Sequence, residues 1–363
     1  MPPFRPAWAA NPRLPPPNPL RARAGDVLGW VHAVTGAAGH SAPGAENVGD
    51  DVLKDQRSLS EKEWRARIER LGRKEGFFTR LGDRHSALFA DRETTLIVTF
   101  ETVEAIRRRQ PDEVPLGFSV CETRDWSHLC LIADGDTWYR DQTVYDFFDS
   151  LVDDAFFDGY EQVIFFGAGM AGYAAAAFSV AAPGATVILV QPQATLDPSF
   201  AGWDTRFAEH RRLNFAYRYG YAPDMTDGAA QVFLIYDPGQ TFDAMHAALF
   251  RRPQTTYLPC RGMGPDLGST LLATHILPSV LSAAADGAFD AAMFRTFCRA
   301  RRNHVPYLRR LINRLDAAGR TRLAEMVAGN AAGRLNDERF RARADDLASR
   351  TGGQPAHVTR DPA

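Results

Sequence analysis

A chain of 363 residues with 45% hydrophobic content can bury one large core or two modest ones, the composition of a soluble globular protein. Its formal net charge of −2 excludes a global attraction to nucleic acid or anionic membrane, so electrostatic recognition must come from local patches. Its four cysteines, Cys121, Cys130, Cys260 and Cys298, lack C-x-x-C spacing, which argues against a zinc site or a disulfide scaffold and for a reducing compartment.

Residues 1–57 are rich in Pro, Gly, Ala and Asn and are expected to form a flexible arm. Met1 to Leu20 holds no continuous apolar run of the kind a secretory signal needs, and no later stretch is apolar for long enough to span a bilayer, so a cytoplasmic location is expected. Ser60-Glu61-Lys62-Glu63 is a capping box that opens a helix carrying Trp64, Ile68 and Leu71 at helical spacing. From His85 the period shortens. Ser86–Phe89 and Thr95–Phe100 flank the polar Asp91-Arg92-Glu93 and read as strand, turn and strand.

Five continuous apolar runs follow, at 129–133, 163–166, 186–190, 232–236 and 255–258, most of them separated by helical segments. Strands covered on both faces lose the polar alternation of one-sided sheets, so this pattern predicts an α/β domain over 58–285 with a mostly parallel sheet between helices. The connection from Ser199 to Gly228 is longer than a crossover needs. It reads either as a lid or as an ordinary helix with aromatic packing and a solvated arginine face. Beyond residue 286 a helical extension to 350 is expected, with nine arginines and the single acid Asp316 between Arg295 and Arg322. That stretch is either a solvated face or a contact for an acidic partner, a phosphate-bearing ligand or a membrane headgroup. A disordered tail is expected over 351–363.

The centre of the pattern is Val163-Ile164-Phe165-Phe166-Gly167-Ala168-Gly169-Met170-Ala171-Gly172-Tyr173, a strand, a glycine turn and an alanine-rich helix. Its G-x-G-x-x-G spacing fits a dinucleotide-binding turn, and Gly-Ala-Gly-Met-Ala-Gly closely resembles the opening of flavin-dependent amine oxidases. That chemistry also requires a carboxylate at the end of the next strand, where Gln191-Pro192-Gln193 stands instead. At least three strands also precede the motif.

Read as a nucleophile elbow, the turn sits where it should, with several strands before it and three strand–helix units after. The stretch from about Phe77 to Leu281 resembles α/β-hydrolases of the esterase and glycan-biosynthesis-associated kind, whose elbow runs G-x-S-M-G-G-Y-A-A. Gln191-Pro192-Gln193 and Tyr236-Asp237-Pro238, followed by Asp243-Ala244-Met245-His246-Ala247, carry the same likeness. The resemblance implies a binding set of Gly167, Met170, Ala171, Gly172, Gln191 and Gln193, with Phe100 and Glu101 from an earlier strand. The nucleophile position, however, is the vacant Gly169.

A triad needs Ser, acid and His in that chain order. Asp237 and Asp243 are the candidate acids, with Asp243 reading equally as a helix N-cap. The loop Pro259-Cys260-Arg261-Gly262-Met263-Gly264-Pro265-Asp266 should carry the histidine and holds none. His275 further on reads as a core or interface histidine in an apolar helix, and His246 as helix surface. No H-x-x-x-H or H-E-x-x-H pair suggests a metal, and no cofactor is expected. The expected function is therefore a degenerate α/β-hydrolase that binds a glycan, acyl or protein partner. One alternative is an active hydrolase with a replacement nucleophile, Cys260 or Cys121. Another is a flavin- or nicotinamide-dependent oxidoreductase or a sulfur-assimilation reductase, although the S-G-G-x-D-S loop and cysteine–histidine tail of phosphoadenylyl-sulfate reductases are absent.

Overall fold

The computed structural model describes residues 59–108 and 112–350, so the expectations for the N-terminal arm and the last thirteen residues lie outside it. The capping box forms as the sequence requires. The Ser60 side chain accepts from Glu63 N–H and the Glu63 carboxylate accepts from Ser60 N–H, opening α1 (Glu61–Glu75). The sheet has eight strands: β1 (Gly76–Leu81), β2 (His85–Ala90), β3 (Glu93–Thr102), β4 (Trp126–Ala133), β5 (Gln162–Ala168), β6 (Thr186–Val190), β7 (Gln231–Tyr236) and β8 (Thr255–Pro259). Their spatial order is β1-β2-β4-β3-β5-β6-β7-β8. Only β2 runs against its neighbours; all pairs from β4 onward are parallel.

Two features differ from the sequence reading. The strand at 76–81 was not expected. Although β2 and β3 are separated by two residues, they do not pair with each other, because β4 lies between them, antiparallel to β2 and parallel to β3.

The crossovers lay helices on both faces. Between β3 and β4 come α2 (Val103–Arg107) and α3 (Leu116–Glu122), and between β4 and β5 comes α4 (Gln142–Asp153). The elbow helix α5 (Met170–Phe178) follows β5. One face of the sheet packs Val98, Phe100 and Phe165 against Phe147, Phe148 and Phe178 of α4 and α5. On the other face α1 and α3 cover one end, while α9 (Leu267–Ala273), α10 (Ile276–Ala285) and α11 (Ala291–Phe297) bury Ile164, Ile188 and Ile235. Small residues decide how closely α5 can lie: Ala174 to Ala177 are fully buried, and a Cβ at Gly172 would stand 3.2 Å from Pro192.

The connection over 191–230 holds only short helical turns, α6 (Pro198–Ala201) and α7 (Ala222–Met225), and is neither a single helix nor a loose loop. Arg140 ties it down. Its guanidinium donates to the carbonyls of Asn214 (2.6 Å) and Arg218 and lies over the Phe215 ring, while Tyr173 donates to Tyr219 O at 2.6 Å. After β7 comes α8 (Thr241–Leu249).

The C-terminal extension is helical as expected. Its helices α12 (Val305–Ala317), α13 (Thr321–Leu335) and α14 (Glu338–Arg350) share a small core around Leu308, Ile312, Ala328 and Leu347. Asp316, the lone acid of the arginine-rich stretch, pairs with Arg343 and Arg350 of α14. No single helix among the described residues is long and apolar enough to cross a membrane. One sharply bent pair, α9 and α10, meets the criterion together, and its apolar side chains pack into the core.

Candidate functional site

The glycine turn after β5 leads directly into α5. Gly169 sits at φ 58° and ψ −125°, between the end of β5 and the first turn of α5. Its N–H donates to Val190 O (2.9 Å), and its carbonyl accepts from Tyr173 N–H (3.0 Å). A side chain with a Cβ is strained in that conformation, and active hydrolases accept the strain to lift a serine above the sheet. Two glycines of the turn have different reasons. A Cβ on Gly167 would lie 2.0 Å from the Ala171 carbonyl oxygen, whereas one on Gly169 would meet nothing within 4 Å. Residue 169 therefore has open space for a side chain, and residue 167 does not.

The loop after β4 closes over this turn. Trp138 and Tyr139 are consecutive residues at φ 55° and 54°, both buried, and the Trp138 N–H points at Met170 Sδ (3.3 Å). Two adjacent non-glycine residues in the left-handed region store on the order of 1–3 kcal/mol each, a cost that persists only where surrounding packing imposes it. Tyr139 also donates to Glu101 O at 3.1 Å. Composition gave no signal for this pair.

The acid position is filled and already committed. Asp237 follows β7, is 2% exposed, and accepts from Gly239 N–H through one oxygen (2.9 Å) and from Gly262 N–H through the other (2.8 Å). Gly262 belongs to the loop after β8, which in a working triad would present a histidine to this acid. Here the loop offers its own backbone.

Asp243 does not cap its helix, since Gln240 is the N-cap and makes no side-chain cap. Its carboxylate is buried instead, accepting from Arg206 Nη1 (2.7 Å) and Gln191 Nε2 (2.8 Å). Gln191 also donates to Pro265 O (2.8 Å) and accepts from Leu267 N–H (2.6 Å), so its amide is fully engaged where a dinucleotide would need a ribose acceptor. Gln193 is buried, with its amide nitrogen donating to Gln191 O (3.3 Å). Phe100, expected in the binding set, belongs to the aromatic core with Tyr139 and Phe178.

Neither histidine candidate lies in the setting that the sequence suggests. His275 lies at φ 56° in the break between α9 and α10 and is exposed, not a core residue. His246 is wholly buried rather than on a helix surface. Its Nδ1 accepts from Ala194 N–H (3.1 Å), so Nε2 carries the proton and donates to Asp204 Oδ2 (3.0 Å). With both nitrogens used, the ring has no lone pair for a nucleophile. Burial lowers the His246 pKa, outweighing the pull of Asp204. Burial also pushes the Asp204 carboxyl up, but hydrogen bonds from His246 and Arg206 overcome this and hold it far below its ordinary value. The resulting chain, His246–Asp204–Arg206–Asp243–Gln191, joins α8 to the connection over 191–230. Arg206 stands out in the sequence only as one arginine of the long connection, and Asp204 gives no signal, because its partner His246 is 42 positions away.

The replacement nucleophiles fare no better. Cys121 is buried, and burial raises its pKa to about 12. Cys260 is fully buried with its Sγ 3.6 Å from Cys298 Sγ, a contact that raises its pKa. Glu101 sits at the end of β3 in a buried cluster with Thr99, His128 and Cys130.

Outside the elbow, α12 packs over the loop after β8 and encloses a cavity of about 270 Å³. Its wall includes Asp237, Arg261, Tyr307, Arg310 and Arg314. Arg310 is partly spent as a strut, donating to the carbonyls of Gly262 and Met263. Arg261 and Arg314 are exposed and make no ion pair with any described residue. Of the arginine-rich stretch, Arg310 and Arg314 thus reach the acid loop.

The strand order, the single antiparallel strand near one edge and the elbow after β5 decide the architecture. The fold is α/β-hydrolase-like. No family model matches the chain, and comparison with curated proteins finds no relative. Among solved structures the chain is similar to a glycosylation-associated protein complex from Streptococcus agalactiae, at 14% identity and TM-score 0.39 over 56% of this chain and 45% of that one. It is also similar to a carboxylesterase cloned from a metagenomic library (14%, 0.35, 66% and 98%) and to the capsule O-acetyltransferase of Neisseria meningitidis serogroup A (10%, 0.36, 58% and 99%). The match spans less than half of the first of these chains. Likenesses this distant add nothing to what the sheet and the elbow establish.

Proposed function

We propose that this chain is a non-hydrolytic α/β-hydrolase-like protein that binds a small acidic ligand, of the phosphate- or carboxylate-bearing glycan kind, in the arginine-walled cavity beside Asp237. One observation carries the reading. The acid that should orient a histidine already accepts two backbone N–H groups, one from Gly239 in its own loop and one from Gly262 in the loop that should supply that histidine. Without a hydroxyl at Gly169 or a base with a free lone pair, acyl transfer has neither attacking atom nor proton acceptor. The scaffold keeps its neighbouring cavity, and guanidinium forks match carboxylate and phosphate oxygens in pairs.

The test has two arms. A fluorophosphonate probe and a panel of short-chain esters should leave the purified protein unlabelled and give no turnover. Inorganic phosphate and glucuronate, titrated by calorimetry, should bind the native chain, more weakly as salt rises, and should fail to bind the Arg261→Glu, Arg314→Glu double variant. Serine labelling near the elbow would sink the first half of the reading. Absence of anion binding, or binding indifferent to the double substitution, would sink the second.

A further inference from the structure

Parallel pairing of β3 with β4 places Thr99 opposite Cys130 and Ile97 opposite His128, so Ile97, Thr99, Glu101, His128 and Cys130 point to one face of the sheet. Val103, Ile106, Phe118 and Ile132 line that face here, Arg92 lies over the Phe118 ring, and Leu116 N–H donates to Glu101 Oε2 (3.2 Å). His128 and Cys130 are buried and Glu101 is 9% exposed. One ligand atom from each of Glu101, His128 and Cys130 lies within 4.8 Å of the other two, and Cys130 Sγ is 3.9 Å from Glu101 Oε1. We infer that this cluster is a binding site for a divalent transition ion of the zinc class, held by the Glu101 carboxylate, the His128 imidazole and the Cys130 thiolate.

Geometry, charge and surroundings support the assignment. Zinc–sulfur and zinc–oxygen bonds of about 2.3 and 2.1 Å at a tetrahedral angle set the two ligand atoms about 3.6 Å apart, so the observed sulfur–oxygen spacing needs only a few tenths of an ångström of side-chain rotation. On binding, the Cys130 thiol gives its proton to water and a sulfur–metal bond forms, with no electron transferred. One thiolate, one carboxylate, a neutral imidazole and a 2+ ion sum to zero, the charge count that a low-dielectric interior accepts. Sulfur and nitrogen ligands select zinc or cobalt over magnesium or calcium.

The outer shell is present too. Thr99 Oγ1 stands 2.8 Å from His128 Nε2 and 3.4 Å from Glu101 Oε1, linking two ligands, as second-shell hydroxyls do in metal centres. His128 Nδ1 is a buried nitrogen with no hydrogen-bond partner among the described residues. Helix α3 can lie over the ring because residue 117 is glycine: a Cβ there would fall 2.1 Å from His128 Nε2. The spacing rules applied to the sequence could not find this site, because its ligands come from two strands.

The decisive measurement is the X-ray absorption spectrum of the full chain, stripped with chelator and reloaded with one equivalent of zinc. The expected result is one sulfur scatterer at about 2.3 Å with nitrogen and oxygen completing the shell. Loading with cobalt should give a thiolate-to-cobalt charge-transfer band that is lost in Cys130→Ser, weakened at least tenfold in affinity in His128→Gln, and retained in Cys298→Ser. A shell with two sulfurs would move the ion to the Cys260–Cys298 pair. A shell with none, a band surviving Cys130→Ser, or failure of the native protein to retain zinc would each overturn the assignment. The native spectrum decides even if Cys130→Ser does not fold.

Discussion

Gly262 donates its backbone N–H to Asp237 Oδ2 at 2.8 Å, in the place where the acid of a working triad would hold a histidine. This hydrogen bond fixes the loop after β8 to the end of β7. Asp237→Ala leaves two N–H groups without their acceptor and should cost about 1–3 kcal/mol of stability in urea unfolding, with no change in the ester-hydrolysis background. A loss of hydrolytic activity in that variant would show that Asp237 still orients a base.

The two glycines of the turn give opposite expectations. Gly169→Ser has open space for its side chain and loses only the backbone strain at positive φ, on the order of 1–3 kcal/mol. Gly167→Ala forces backbone to move against the Ala171 carbonyl and should lose roughly 3 kcal/mol or more. Thermal melts of both variants test the ordering. Gly169→Ser should remain inert toward esters, because His246 has both ring nitrogens occupied. Robust esterase turnover by Gly169→Ser would require another base and defeat the non-hydrolytic reading.

Much of the fold was legible because parallel strands buried on both faces read as unbroken apolar runs, and β5 to β8 fall where those runs are. The edge was harder. Gly76-Phe77-Phe78-Thr79-Arg80-Leu81 mixes charge with apolar residues, because an outer antiparallel strand is only half covered. The two-residue gap before Glu93 looks like a hairpin turn, yet partner choice was settled by β4, more than thirty residues later. At the site, the strand, glycine turn and helix over 163–178 were readable since their sterics are local. The Asp204–His246 pair was not: helix α8 shows which residues recur on a face but not which face the covering segment will bury.

Breaking that pair should be costly. His246→Ala removes one hydrogen-bond donor from a buried carboxylate that Arg206 still pairs, and should cost about 1–3 kcal/mol. Asp204→Asn keeps shape and one acceptor, and should cost less. A double-mutant cycle with Arg206→Met should show coupling of at least about 1 kcal/mol. Additive losses would mean that the network is not a unit.

Arg140 makes a separate prediction about the covering segment. Arg140→Ala removes the donors to Asn214 and Arg218 and the stacking on Phe215 while leaving the sheet untouched. Amide exchange should accelerate over 213–221 by tenfold or more, with β5 and β6 unchanged. Uniform acceleration would show that the segment unfolds only with the whole domain.

The last prediction is a pH dependence set by buried histidines. His85 is buried, donates to or accepts from Thr137 Oγ1 at 2.7 Å, and is pushed by burial from 6.5 down to about 4. His246 is shifted in the same direction. A histidine with a lowered pKa in the folded state binds its proton more readily once unfolded, so stability is full above about pH 6.5 and falls as pH drops toward the folded value. For His85 the loss should reach on the order of 2–3 kcal/mol at pH 4. Most carboxylates are still ionised between pH 6.5 and 5, which leaves the histidine effect exposed in that window. Urea unfolding should therefore weaken steadily over it, and His85→Gln should remove up to one proton's worth of the slope. Stability that stays flat from pH 6.5 to 5 would mean that these rings are not held neutral by the fold.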